Sequence, residues 1–164
     1  MTDGPAAVIA VGNPLRADDG AGVEVVRRLA GRVPAGVRLI EVGGEPAGLL
    51  DAWDGLGTVV VVDAVRTGGD PGTVHHFDAS TEPLPARMGS ASTHGLGLAE
   101  ALELGRVLGR LPARVVVVGI EVADDRTVGG GLSRAVRDAI EDAAAGVLAE
   151  LERGVAELPR RDAP

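Results

Sequence analysis

Cysteine, lysine and tyrosine are absent from this chain of 164 residues, and it has one tryptophan and one phenylalanine. Without cysteine there is no disulfide, no thiolate metal ligand and no cysteine nucleophile. Without lysine, Schiff-base catalysis and the phosphate-gripping lysine of a P-loop are excluded; all 16 basic residues are arginine. A formal net charge of −8 with almost no aromatics leaves neither the basic surface nor the stacking rings that a nucleic-acid partner requires. No apolar run approaches the roughly 20 residues that span a bilayer, so no membrane partner is expected. The first residues lack the basic-then-apolar pattern of a secretory leader, and the expected location is cytoplasmic. A dinucleotide fingerprint is missing after the first apolar run, where Gly12 is the only glycine before Gly20. No G-x-S-x-G elbow supplies a serine nucleophile, and no organic cofactor is expected.

What remains is a chain in which β-branched runs alternate with helical patterns. Ala6–Gly12, Val37–Val42, Thr58–Val62 and Arg114–Ile120 read as strands. Three of them are almost continuously apolar, as strands covered on both faces are. Thr73–Phe77 is a fifth, more polar strand that suits a sheet edge. Helices are expected over Gly22–Arg32, Pro46–Trp53, Leu96–Leu108 and Arg134–Glu152. Leu98, Leu102 and Leu108 should face the sheet, and Ser133 should cap the last helix. This alternation predicts an α/β three-layer sandwich around a mostly parallel, doubly wound sheet of about five strands. A length of 164 residues suits one domain, expected over residues 1–153, with a polar tail at 154–164. Glu82–Ser92 is the longest loop-like segment and could cover a site.

Open α/β sheets bind ligands beyond the carboxyl ends of their strands. The first strand runs through Gly12-Asn13 to Asp18-Asp19, the second ends at Gly43-Gly44, the third at Asp63 and the fourth at Glu121. If the first and third strands are neighbours, Asp18, Asp19 and Asp63 lie close together. Asp18 could simply cap the following helix, and Asp63 could be satisfied by loop amides. His94, in "STHGLGL", opens a helix among glycines that allow close backbone approach. Two carboxylates and one imidazole would make a three-ligand site with an open position, suited to nickel, zinc or another divalent ion. His75 and His76 form a weaker candidate, because adjacent strand residues point to opposite faces.

"VGNPLRADDGAGVEVVRRL", "VVVVDAV", "STHGLGLAEAL" and "VVVVGIE…GGGLSRAV" together resemble the hydrogenase maturation proteases in order and spacing, from Val8 to about Leu151. The resemblance implies an aspartyl-type, metal-dependent endopeptidase that removes a C-terminal extension from a nickel–iron hydrogenase large-subunit precursor. The nickel would be carried by the substrate, and the residues contacting it would be Asp19, Asp63 and His94. Related chains often carry glutamate where this one has the shorter Asp19. Gly43, Gly44 and Asn13 would shape the substrate cleft. Two other readings fit the same residues: a metallohydrolase with its own zinc, and a non-catalytic α/β module that binds a divalent ion. Nothing in the residues fixes an oligomeric state.

Overall fold

The computed structural model describes residues 4–85, 95–123 and 130–156. Five strands form one sheet in the order β2-β1-β3-β5-β4: β1 (Ala6–Val11), β2 (Arg38–Val42), β3 (Thr58–Val65), β4 (Val74–Asp78) and β5 (Arg114–Glu121). Pairing is parallel throughout except at β4, which runs antiparallel to β5 along the edge. The expected α/β sandwich is present, and the polar fifth strand does lie at an edge.

Every residue of β3 and of β5 is buried. That requires cover on both faces, and helices supply it. On one side α1 (Ala21–Leu29) and α4 (Arg134–Ala156) pack Val23, Val26, Leu29, Val136, Ile140 and Val147 against Val8, Val60, Val62 and Val118. On the other, α2 (Pro46–Trp53) and α3 (Gly95–Val107) bring Leu49, Trp53, Leu98 and Leu102 onto Ile9, Val59, Val61 and Val117. The parity of each strand assigns its side chains to the two cores in alternation.

Several local expectations are corrected. Helix α1 ends at Leu29 rather than Arg32, and a 3-10 turn over Ala17–Gly20 precedes it. Leu108 lies beyond α3 and is 54% exposed instead of facing the sheet. Leu98 and Leu102 are one turn apart, whereas Leu108 is six residues further on, about 240° around the helix. Buried Gly105, packed on Leu50 and Leu111, continues the inner face. Strand β3 extends to Val65, so Asp63 sits inside a strand and not in a loop after it. Helix α4 runs to Ala156, past the expected end at Glu152, and Ser133 Oγ accepts the Val136 N–H at 3.4 Å as an N-cap should. The tail from 157 onward and the 86–92 part of the Glu82–Ser92 loop lie outside the described residues.

Strand β1 leads through α1 to β2 on one side, while β3 leads towards β5 and β4 on the other. The crevice at this reversal, beyond the carboxyl ends of β1 and β3, is where such sheets take their ligands. Asp19 follows β1 and Asp63 lies near the end of β3.

Candidate active site

The turn between β1 and α1 is built for close approach. Gly12 has φ +137°, and a Cβ there would collide with the backbone oxygen of Asp19. The Gly12 N–H still donates to Val42, prolonging the β1–β2 ladder by one bond. The Asn13 N–H then donates to Asp19 Oδ2 at 3.0 Å. Asn13 Oδ1 accepts the Leu15 N–H at 2.9 Å, and backbone bonds join Arg16 to Asn13 and Asp19 to Arg16. Ala17 is held at φ +46°, a conformation that L-residues with a Cβ rarely adopt. Gly22 rests on the carbonyls of Val11 and Val62, which seats the start of α1 over the ends of β1 and β3.

Asp18 and Asp19 do different things in this turn. Asp18 caps nothing in its own helix; its Oδ1 accepts the Ser133 N–H at 2.6 Å and so ties the turn to the start of α4. Asp19 is half-buried and turned back on the Gly12-Asn13 backbone. Asp63 is 2% exposed, and among the described residues its Oδ1 has no hydrogen-bond partner. Burial pushes its carboxyl well above the usual carboxylate range, and the Asp19 charge pushes it further. The Ala64 amide and the Arg66 guanidinium pull the other way without prevailing. The loop-amide satisfaction that would have made Asp63 an ordinary strand-end residue is therefore incomplete. A buried acceptor facing another carboxylate costs stability unless a cation or a proton intervenes.

His94 lies outside the described residues, and among the described residues no third His, Cys, Asp or Glu joins the two aspartates as a metal-holding group. The helix that His94 precedes is positioned by a backbone contact. A Cβ on Gly97, in the first turn of α3, would overlap the carbonyl oxygen of Gly44. Gly44 is buried at φ +95°, whereas Gly43 is exposed with open space at its Cα. Gly44 of the pair after β2 and Gly97 of the glycines after His94 thus meet each other.

One buried centre had no assigned role in the sequence. Glu121, 1% exposed at the end of β5, accepts the Thr67 N–H at 2.8 Å, the Gly68 N–H at 3.1 Å and the Thr67 hydroxyl at 2.8 Å. His75 Nε2 is 3.0 Å from Glu121 Oε2. Burial raises the Glu121 carboxyl, but the Thr67 and His75 hydrogen bonds outweigh it and hold the group below its ordinary range. Its trace in the sequence is a single charge closing the run "VVVVGIE". His76 faces the opposite way, with Nδ1 3.0 Å from Glu150 Oε1, which also bonds Arg153, while Oε2 takes Arg114 at 2.7 Å. The two adjacent histidines diverge to separate carboxylates, as strand geometry requires.

An α/β sheet with an acidic crevice at its switch point is a general ligand-binding scaffold; the comparisons with known proteins specify the family. A family model described as hydrogenase maturation protease matches residues 23–150, which include Asp63 and His94 but not Asp19. The hydrogenase 2 maturation protease of Escherichia coli K12 is 32% identical over 158 residues, 93% of this chain and 94% of that one. The hydrogenase expression/formation protein HupM of Azotobacter chroococcum is 35% identical over 158 residues, 93% of this chain and 75% of that one. Among solved structures, the E. coli hydrogenase maturating endopeptidase HybD superposes with a TM-score of 0.80 at 30% identity, covering 97% of this chain and 99% of its own. The [NiFe] hydrogenase maturation protease HybD from Thermococcus kodakarensis gives 0.70 at 29% identity, covering 87% and 96%. The chain belongs to the hydrogenase maturation protease family and is a peptidase. Among the described residues no helix is long and apolar enough to cross a membrane.

Proposed function

We propose that this peptidase removes a C-terminal extension from the large-subunit precursor of a nickel–iron hydrogenase, and that it recognises nickel already seated in that substrate. Asp19, Asp63 and His94 are the residues that would contact the ion. The observation that carries this reading is the state of Asp63, buried with Oδ1 unpartnered among the described residues and set against the Asp19 charge. An arriving divalent cation relieves both penalties together, because it supplies the missing partner and neutralises the like-charge pair. The same cation lowers the carboxyl's pKa, so a proton held by Asp63 in the free enzyme is released on binding.

The chemistry that follows is metal-assisted hydrolysis. The substrate's nickel would polarise the scissile carbonyl, and a carboxylate beside it would take a proton from the attacking water and pass it to the amine as the C–N bond breaks. Asp18 fits poorly as that base, because its Oδ1 is committed to Ser133. Asn13, Gly43 and Gly44 would line the path of the extended substrate. Gly43 suits that role because nothing stands against its Cα.

Processing of a nickel-loaded precursor by variants tests the assignment. Asp63→Asn and His94→Ala should each abolish cleavage while Asp18→Asn retains it; full activity in either of the first two contradicts the reading. The competing resident-zinc reading requires stoichiometric zinc in protein purified without added metal. The non-catalytic reading requires that no precursor be cleaved at all.

A further inference from the structure

We propose that Asn13 is a positioning residue for the processing reaction: its side chain builds the turn that holds Asp19 in place to meet the substrate's nickel. The proposal rests on the precursor-processing reading above, which makes Asp19 an ion contact.

The chain leaves β1 at Val11 and has to bring Asp19 back over the end of that same strand. Asn13 bends it there with three polar groups. Its Oδ1 accepts the Leu15 N–H at 2.9 Å, which closes an Asx turn. Its carbonyl accepts the Arg16 N–H at 3.1 Å, and the Arg16 carbonyl accepts the Asp19 N–H at 3.0 Å. Its own N–H donates to Asp19 Oδ2 at 3.0 Å. Asp19 is thereby laid against the strand end, where a Cβ at Gly12 would stand 3.9 Å from Asp19 Cγ.

This path is imposed on the backbone. Ala17, inside the turn, is the only non-glycine among the described residues with positive φ. Such a conformation persists only where surrounding bonds over-determine it. The Gly12 N–H fastens the near end of the turn to Val42, and Asp18 fastens the far end to Ser133. Between those anchorages the Asn13 bonds supply the constraint. A donor on a ligating carboxylate also fixes its orientation, as outer partners of metal ligands do generally. A displacement of about 1 Å at such a group costs roughly a hundredfold in rate.

The three bonds use Oδ1, the carbonyl and the N–H of Asn13; none uses the side-chain amide nitrogen. That separates holding Asp19 from touching the substrate. Asn13→Ala removes the acceptor, whereas Asn13→Asp and Asn13→Ser lack the nitrogen but keep an acceptor, one charged and one neutral. With nickel-loaded precursor, Asn13→Ala should lower kcat/KM by at least roughly tenfold, assayed well below its Tm. The better of Asn13→Asp and Asn13→Ser should stay within about fivefold of native. In the substrate-free protein, NMR should show the residue 13 backbone N–H exchanging at least roughly tenfold faster in Asn13→Ala than in the native chain. Native processing by Asn13→Ala overturns the proposal, and so does an unchanged exchange rate. Losses in both acceptor-keeping variants as large as in Asn13→Ala also overturn it, because they assign the effect to the amide nitrogen. If the native chain cleaves no precursor, the functional reading falls, and the exchange rates still report whether Asn13 holds Asp19.

Discussion

Replacing Asp63 by asparagine should make the protein more stable and inactive at once. The native carboxyl is buried with Oδ1 unpartnered, and the Asp19 charge adds to the cost of ionising it. Asparagine keeps the shape, removes the charge and can donate from its amide to the neighbouring Asp19. Relief of an uncompensated buried carboxylate is worth about 1–3 kcal/mol at pH 7. In a domain of this size that is a rise in Tm of roughly 3–10 °C. The pH dependence fixes the cause. The folded pKa of Asp63 lies above its unfolded value, so the native state holds this proton more tightly than the unfolded chain does. Stability therefore falls as pH rises from the unfolded value of about 3.9 through the raised folded value. The gain from Asp63→Asn should be smallest near pH 4, where the native carboxyl is protonated in both states, and should grow as pH rises above that. Urea unfolding followed by the fluorescence of Trp53, the only tryptophan and fully buried, reads this directly at several pH values. A variant no more stable than the native protein at pH 7, or a gain independent of pH, would refute the picture of a destabilised carboxylate awaiting a cation.

Other outcomes follow from the same geometry. Asp18→Asn keeps an acceptor for the Ser133 N–H and should process precursor within about threefold of native, whereas Asp18→Ala should lose about 0.5–1.5 kcal/mol of stability in urea titrations. Gly97→Ala drives a Cβ into the Gly44 carbonyl and should cut processing by at least roughly tenfold. Gly48→Ala, with open space at its Cα in α2, should be harmless or slightly stabilising in the same assay. Glu121→Leu orphans the Thr67 and Gly68 amides and should cost about 3–5 kcal/mol by the same unfolding measurement. Because the Glu121 pKa is lowered in the fold, its contribution is complete above the unfolded value of about 4.3 and is lost as pH falls through the folded value. Glu121→Gln should remove that acid sensitivity.

The valine runs of β1, β3 and β5 were legible because strands covered on both faces need no polar face, and continuous apolarity is a strong local signal. The Ser133 cap was legible for the same local reason. The end of β3 was not: the apolar pattern stops at Asp63, but the backbone goes on pairing with β5 to Val65. A ladder of backbone bonds is indifferent to the side chain it carries, so a carboxylate inside a strand mimics a strand end. Asp18 misled in another way. Its position suited a cap for the following helix, yet its actual partner is Ser133, more than a hundred residues distant and beyond the reach of any local pattern. Glu121 was seen as a strand exit and its partners were not, since Thr67 and Gly68 come to it from the β3–β4 connection and His75 from β4, all more than 40 residues away in the chain. The pairing of Asp19 with Asp63 was accessible only through a topological rule, that β1 and β3 adjoin at the switch point.

The most direct test is to weigh a candidate large-subunit precursor by mass spectrometry after incubation with the purified protein, once loaded with nickel and once free of it. A mass lower by one C-terminal fragment in the nickel-loaded sample alone is the expected result. Equal cleavage of both precursors would contradict recognition of a substrate-borne ion by Asp19, Asp63 and His94.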